Sequence, residues 1–154
     1  MIGPLVSLKL EHAFDLHISF GDELRLGATS LAHTRVLHPV TGGSVWGPRL
    51  KGAIVAGSGS EAPRFDAARV VVEGQWLIRA ADGTLILMTN AGFASGPPTE
   101  PWRADGPEFA SPSLHLAPVF EAPGGPHGWL NRTVFVGKGD RRRTNATVRV
   151  FAVM

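Results

Sequence analysis

Three polar residues, Glu73, Gln75 and Asn90, have the spacing of a chemical site on two neighbouring strands. If Asp82-Gly83 forms a two-residue hairpin turn, Gln75 lies opposite Asn90, and Glu73 lies further along the same face. A carboxylate beside two amides can act as a general base on a carbonyl or hydroxyl compound. We therefore predict Glu73 as a catalytic base, with Gln75 and Asn90 as ligand-binding residues.

The same hairpin allows a second interpretation. Its other face, which carries Val72, Trp76 and Ile78, is apolar. If this apolar face fills the interior, Glu73 and Gln75 face solvent and have no catalytic role. Alternation shows that the two faces differ but not which of them is inside, so both interpretations stay open.

A second candidate group lies in residues 129–137, which alternation predicts as a strand. Trp129, Asn131 and Phe135 share one face of that strand. An aromatic wall with one oriented amide suits a ligand pocket. We predict Asn131 as a catalytic residue, with Trp129 and Phe135 as ligand-binding residues. The alternative is an aromatic core in which the Asn131 amide bonds the backbone.

Two further side chains could handle protons or anions. His115, on a predicted strand, suits a proton donor or an anion partner in catalysis. Arg35, beside a glycine-rich strand, could bind a carboxylate or phenolate of a ligand. The alternative for both is an exposed position on a strand surface. Arg141–Arg143 are interpreted as an exposed hairpin tip.

The composition excludes several other kinds of site. The chain has no cysteine, which excludes disulfides and thiolate chemistry. Its histidines include no His-x-His pair, so no metal site is predicted, and no phosphate-loop or dinucleotide motif predicts a cofactor. A net charge of +2 with scattered arginines does not favour nucleic acid as a partner. Without a signal peptide or a membrane-length apolar run, we expect a cytoplasmic protein and no membrane partner.

Alternation of apolar and polar residues predicts strands along most of the chain, and helical periodicity is absent. The predicted strands cover residues 8–20, 31–40, 44–56, 68–80, 84–91, 113–121, 129–137 and 146–153. Phe93–Pro112, rich in proline and glycine, is predicted as a surface loop or a lid. The length of 154 residues favours one domain that covers residues 1–154.

Glycines interrupt one strand-like stretch at regular intervals, at Gly42–Gly43, Gly47, Gly52 and Gly57. Glycine weakens a strand unless the strand bends there or another backbone comes close. Antiparallel strands in a small all-β domain can hide their edges by closing into a barrel. We therefore predict a single antiparallel up-and-down β-barrel, with Gly47 and Gly52 at bends or close backbone contacts.

The stretch TGGSVWGPRLKGAIVAG resembles the G-G-x-x-x-G-P-x-L-x-G signature of the domain-of-unknown-function 3237 family, also called uncharacterised protein family 0311. Further similar motifs follow in order over nearly the whole chain: RAADGTLILMTNAG, APVFEA, GWLNRTVFVGKGDRR and VRVFAVM. The resemblance implies a lipocalin-like barrel of about eight strands. It also favours a pocket at Trp129 and Asn131, which lie in its W-L-N block. The family often has a basic residue at the position of His115, which suits a proton donor or an anion partner.

Two segments depart from the pattern of that family. At Gly57 the chain reads GSGSEAPRF, where the family usually has a Gly-Gly-x-Asp-Trp run. Glu73-Gly-Gln75-Trp76 stands where the family often has Asp-x-Arg-Tyr. Both departures fall where an interior polar site is expected, so we expect the site to be altered or different in specificity.

We predict an enzyme that needs no cofactor and acts on an apolar aromatic or polyketide-like compound of secondary metabolism. It would be an isomerase, cyclase or lyase that uses acid–base chemistry in the barrel lumen. The alternatives are a carrier that binds such a ligand without changing it, and a structural barrel whose lumen is packed solid. Apolar residues on both faces of residues 70–78 and 130–136 predict a homodimer or higher homo-oligomer.

Overall fold

A computed structural model describes residue 3 and residues 6–29, 34–65, 69–95 and 113–154 of the chain. Strands make up most of this part. They are β1 (Leu10–Phe20), β2 (Leu24–Ala28), β3 (Thr34–Trp46), β4 (Gly52–Ile54), β5 (Ser60–Glu61), β6 (Arg64–Phe65), β7 (Val70–Ala80), β8 (Leu85–Ala94), β9 (Ser113–Leu116), β10 (Val119–Glu121), β11 (Phe135–Arg141) and β12 (Asn145–Val153). One 3₁₀ helix, Gly128–Arg132, precedes β11.

The strands close into an eight-stranded antiparallel barrel, as predicted. The ring runs β1–β3–β4–β7–β8–β9–β11–β12, and β12 pairs with β1 to complete it. The short strands β5 and β6 continue the β4 position between β3 and β7. Closure pairs the edges that an open sheet would expose to solvent or to another chain.

The interior of the barrel is filled by alternate residues of each strand. In β1 the inward side chains include Phe14, Leu16 and Ile18, which are all buried. In β7 they include Trp76 and Ile78, which are fully buried. The apolar face of the β7–β8 hairpin is therefore the lumen face, which decides between the two interpretations of that hairpin.

The β7–β8 hairpin has a different register from the predicted one. Gln75 pairs with Thr89, and Gly74 pairs with Asn90. The Ala80 N–H donates to the Thr84 carbonyl, so the loop contains three residues, with Gly83 at φ +90°. Three-residue hairpin loops commonly end with a glycine in this left-handed conformation.

This extra residue corrects the predicted site. A shift of one residue in register moves side chains to the opposite face of the sheet. Glu73 and Gln75 therefore point outward, whereas Asn90 points into the lumen, where it is buried. The prediction that these three residues share one face is wrong.

The prediction of a strand over residues 129–137 is wrong for the first half of that range. Gly128–Arg132 form the 3₁₀ helix instead, and β11 begins at Phe135. The Thr133 hydroxyl donates to the Trp129 carbonyl and holds the end of that turn (2.7 Å). The predicted strand over residues 113–121 is divided into β9 and β10. The predicted loop at Phe93–Pro112 lies largely outside the described residues, which omit 96–112.

The structure confirms the prediction for two of the spaced glycines. A Cβ at Gly47 would overlap the backbone of Phe14, and a Cβ at Gly52 would overlap the carbonyl of Arg79. Neighbouring backbones thus approach too closely for any side chain at these positions. Within the described residues, no helix has the length and apolar character needed to cross a membrane.

Candidate functional site

A row of side chains crosses the inner wall of the barrel at one level. Register places His38 of β3 beside Glu61 of β5, Glu61 beside Gly74 of β7, and Gly74 beside Asn90 of β8. His38, Glu61 and Asn90 are all buried. Gly74 leaves room in this row for the Trp76 ring, whose Cζ3 lies 2.7 Å from where a Gly74 Cβ would be. We call the end of the barrel that contains this row the polar end.

Arg141 completes the polar end from the opposite side of the barrel. On β11, Phe135, Gly137, Gly139 and Arg141 occupy the same parity, so Arg141 points inward and is fully buried. Its Nε and Nη2 each lie 3.1 Å from Glu61 Oε1. The structure therefore contains a charged pair inside a barrel whose buried residues are mostly apolar.

The rest of the Arg141 guanidinium is also held in place. Its Nη1 donates to the backbone carbonyls of Arg142 and Asn145, in the turn that joins β11 to β12. The plane of the group lies over the Phe20 ring, 4.0 Å from the ring centroid. This framework fixes the arginine, and the arginine in turn orients the Glu61 carboxylate.

His38 lies between two carboxylates. Its Nδ1 is 3.8 Å from Glu61 Oε1, and its Nε2 is 3.7 Å from Glu23 Oε2. Glu23 lies in the turn after β1 and accepts a hydrogen bond from Arg25 (2.9 Å). The imidazole thus connects the interior carboxylate to a carboxylate at the mouth of the barrel.

Two buried polar atoms of the same wall have no hydrogen-bond partner among the described residues. They are Trp76 Nε1, a donor, and Asn90 Oδ1, an acceptor. An unpaired buried polar group costs about 1–3 kcal/mol, so such groups are rare unless a ligand or water satisfies them. Together with Glu61, these atoms offer a donor, an acceptor and a base on one side of the lumen.

Glu73, Gln75 and Arg35 lie outside the barrel. The Glu73 carboxylate accepts hydrogen bonds from Arg64 (2.7 Å) and Arg35 (3.3 Å), and Arg35 also donates to the Ala62 carbonyl (2.9 Å). Gln75 is exposed and donates to the Thr89 hydroxyl (3.1 Å). The structure brings Glu73 and Arg35 together as a surface ion pair, away from the lumen.

His115 also lies on the outer surface, exposed on β9 between its cross-strand neighbours Phe93 and Lys138. Its catalytic role stays a prediction. It lies on the opposite side of the barrel wall from Asn90.

Trp129, Asn131 and Phe135 lie at the other end of the barrel, which we call the aromatic end. There the Phe135 ring packs against the rings of Phe14, Phe120 and Trp129, with centroids 6.2, 5.1 and 5.7 Å away, respectively. The Arg49 guanidinium stacks on the outer side of Trp129, 3.8 Å from a ring centroid. The predicted aromatic grouping is present, but as a plug in the barrel.

The Asn131 amide binds backbone, in agreement with the alternative interpretation of this residue. Its Oδ1 accepts from the Ala122 N–H (2.7 Å), and its Nδ2 donates to the Ala122 carbonyl (2.8 Å). These two bonds attach the 3₁₀ helix to the segment that follows β10. Asn131 is thus remote from Asn90, the predicted site residue that lines the polar end.

Three residues of the polar end were missed from sequence. His38 shares its parity with Val36 and Val40, so a polar residue on an apolar strand face was a usable signal. Glu61 lies within GSGSEAPRF, the segment that departs from the family pattern. Arg141 gave no signal, because a run of three arginines is normally exposed. Within the described part of the chain, no group of three His, Asp or Glu residues is placed to hold a metal ion.

Comparison with solved structures finds other barrels of the same fold, and two of the three described below have no stated activity. A β-barrel-like protein from Acinetobacter baumannii AYE superposes with a TM-score of 0.85 at 24% identity, over 98% of this chain and 99% of that one. A conserved protein of unknown function from Rhodopseudomonas palustris gives a TM-score of 0.84 at 21% identity, over 97% and 100% of the two chains. An enzyme from Penicillium herquei gives 0.76 at 18% identity, over 100% of both chains.

These likenesses establish the fold. No protein with a curated function matches the sequence. Residues 8–153 match the family described as "Protein of unknown function (DUF3237)". Because the match covers nearly the whole chain and the barrel is shared, this chain belongs to the DUF3237 family.

Proposed function

We propose that the polar end of the barrel binds an apolar small molecule with a carbonyl or hydroxyl group, and that Glu61 moves a proton on it. The observation that carries this proposal is the ion pair of Glu61 and Arg141 inside the lumen. The reaction would be an isomerisation, cyclisation, elimination or addition on an aromatic or polyketide-like compound of secondary metabolism. Next to a carbonyl, these reactions proceed by removing a proton from the neighbouring carbon or adding one to it, which needs an acid–base group and no cofactor.

Stability alone is a weak reason to keep a buried ion pair. Removing two charges from water costs several kcal/mol per ion, and apolar residues of similar volume are often as stable or more stable. Charged groups buried in a ligand-binding location are commonly functional. The lumen of a barrel is such a location.

The neighbouring groups suit a carbonyl ligand. The Trp76 indole N–H can donate to a carbonyl or enolate oxygen, and the Asn90 amide can bond a hydroxyl. Phe20, over which Arg141 stacks, adds an aromatic surface beside the charges. An apolar wall with a few convergent polar groups is the usual composition of a small-molecule site.

A carrier and a packed structural barrel are the competing proposals. The similar barrel from Penicillium herquei is described as an enzyme, which supports catalysis as a use of this fold. The buried charges support a lumen with a chemical role over one that is only packed, because packing needs no charge.

A simple unsaturated ketone tests the catalytic proposal. In 1-phenylbut-3-en-1-one, a base removes one proton from the carbon next to the carbonyl and returns it to the terminal carbon. The double bond moves into conjugation, which is followed by ultraviolet absorbance. We expect the protein to accelerate this isomerisation over buffer. We expect Glu61→Gln to lose about two to four orders of magnitude of that rate.

The control is Glu121→Gln, which removes the same charge from an exposed position on β10. It should leave the rate unchanged. Equal rates for the parent and Glu61→Gln would contradict the catalytic proposal. Saturable binding of the ketone without turnover would favour the carrier.

We also propose that the protein forms a homodimer. Leu10 of β1 pairs with Val153 of β12, and the Val153 N–H donates to the carbonyl of Val134, the residue before β11; Leu10 and Val134 are largely exposed. Contiguous apolar surface of this kind is often covered by a partner. Light scattering at micromolar concentration should give twice the monomer mass, and Val134→Asp should reduce it. A monomer mass for the parent contradicts the proposal.

A further inference from the structure

The Trp76 indole and the Asn90 amide hold their unpaired atoms at different places on the lumen wall. Both side chains are buried, and Trp76 Nε1 and Asn90 Oδ1 have no hydrogen-bond partner among the described residues. Trp76 Cζ3 lies beside Gly74. In an indole, Cζ3 and Nε1 are on opposite sides of the fused rings, so Nε1 faces away from Gly74. Asn90 pairs with Gly74 and therefore lies near the Cζ3 side.

The indole thus separates a donor from an acceptor. Trp76 Nε1 can only donate a hydrogen bond, and Asn90 Oδ1 can only accept one. A ligand that satisfies both atoms must present an acceptor and a donor at two separate positions. The carbonyl oxygen of a simple ketone supplies only the acceptor and would leave Asn90 Oδ1 unpaired. A hydroxyl elsewhere on the same ligand supplies the donor.

We infer that the ligand of the polar end is an aromatic ketone that also carries a free hydroxyl on its ring, meta or para to the carbonyl group. The carbonyl accepts from Trp76 Nε1, and the hydroxyl donates to Asn90 Oδ1. An aromatic ring suits this place because the buried rings of Trp76 and Phe20 offer surfaces on which it can pack. The inference rests on the proposed ligand binding at the polar end, but not on the catalytic role of Glu61.

The position of the hydroxyl on the ring follows from the same geometry. A hydroxyl ortho to the ketone donates to the carbonyl of its own molecule, so it is not available to Asn90. A meta or para hydroxyl points away from the carbonyl, just as the Asn90 and Trp76 atoms lie on different sides of the indole. The isomers of hydroxyacetophenone contain the same atoms and differ in this property, which makes them matched probes.

Dissociation constants of small probes test the inference with the parent protein. They are measured from the shifts of the backbone amides of β7 and β8 in NMR titrations, in weakly acidic buffer where the phenol keeps its proton. Acetophenone lacks the hydroxyl, and 4-ethylphenol lacks the carbonyl. We expect 3′- or 4′-hydroxyacetophenone to bind about tenfold more tightly than either, since each omission leaves one buried polar atom unpaired. We expect 2′-hydroxyacetophenone to lack this gain over acetophenone.

Two variants assign the gain to the two side chains. In Asn90→Leu, the hydroxylated ketone should bind no more tightly than acetophenone but should keep its advantage over 4-ethylphenol. Trp76→Phe should give the reverse result, in which the advantage over 4-ethylphenol disappears and the advantage over acetophenone remains. Gln75→Leu is the control, because it removes an amide from the outer face of β7 and should change neither ratio.

Several results would overturn this inference. They are acetophenone binding to the parent as tightly as the hydroxylated isomers, or no saturable binding of any probe. Variants that weaken all probes alike would also overturn it, because they would indicate that the two side chains only pack. If a variant is unfolded, the probe series with the parent decides by itself. Failure of the proposed catalysis is a separate result, because equal isomerisation rates for the parent and Glu61→Gln change none of these affinity ratios.

Discussion

The two ends of this barrel are closed by opposite kinds of chemistry. At the aromatic end, Phe14, Phe120 and Phe135 pack edge to face beneath the 3₁₀ helix, and Leu130 of that helix is buried. At the polar end, the Glu61–Arg141 pair occupies the lumen at a comparable depth. Both arrangements fill space, but only the first gains stability simply from removing apolar surface from water.

This difference separates the end that stabilises the fold from the end where we propose the chemistry. The aromatic end also joins residues distant in sequence, such as Phe14 and Phe135, but through apolar contacts that leave no buried charge behind when one ring is lost. The polar end depends on residues distant in sequence, Glu61 and Arg141, which must both be present to avoid an uncompensated charge. The aromatic end therefore stabilises the fold by packing alone, and the polar end is where we propose the chemistry.

Arg141→Met should show the largest effect, because it leaves the Glu61 carboxylate buried without its partner. We expect a loss of about 3–5 kcal/mol in the free energy of unfolding, measured by urea denaturation. The double variant Glu61→Leu/Arg141→Met should recover most of that loss and still lack isomerisation activity. A double variant as unstable as Arg141→Met would mean that the pair supports the fold, as the aromatic plug does.

Leu130→Ala tests the aromatic end, where we expect a substitution to reduce stability and leave activity unchanged. Leu130 is almost completely buried, so its truncation leaves a cavity and should cost about 2–5 kcal/mol of unfolding free energy. At a temperature where the variant is folded, its isomerisation rate should match that of the parent. A specific loss of activity in folded protein would place part of the site at this end.

Glu73→Gln compares the outer wall of the polar end with the inner wall. The Glu73 side chain is 43% exposed and its ion pairs are at the surface, so the unfolding free energy should fall by less than about 1 kcal/mol. The isomerisation rate should be unaffected, in contrast to Glu61→Gln. A rate loss as large as that of Glu61→Gln would return the site to the residue first predicted from sequence.

Asp82→Asn gives the smallest effect, which appears only in acid. Asp82 lies at the aromatic end, where its carboxylate accepts from the Thr84 backbone N–H (3.0 Å) and contacts His127 Nε2 (2.9 Å) of the segment before the 3₁₀ helix. The Thr84 hydrogen bonds, followed by that of His127, lower the pKa of Asp82 to about 2 from its ordinary 3.8.

Because this pKa is lower in the folded state, the unfolded chain binds more protons between these two values. The contribution of Asp82 is therefore complete above about pH 4 and is lost as the pH falls toward about 2. The melting temperature of the parent should fall more steeply over this range than that of Asp82→Asn. Parallel curves for the two proteins would contradict the assignment.

Much of the fold was predictable because it depends on local pattern. Alternation located most strands, including β1, β7 and β12, and the spacing of Gly47 and Gly52 indicated close backbone contacts that the structure contains. The hairpin register was not predictable from Asp82-Gly83, because the same dipeptide fits loops of two and three residues. That one residue decided whether Glu73 or Asn90 points into the barrel.

The sequence by itself determined an all-β chain with glycines where strands cross closely, since periodicity and backbone sterics are properties of neighbouring residues. Only the tertiary structure decided which residues meet at the proposed site. Glu61 and Arg141 are 80 residues apart and meet only because the barrel closes. Burial and charge pairing depend on that closure, because both arise between strands and not along them.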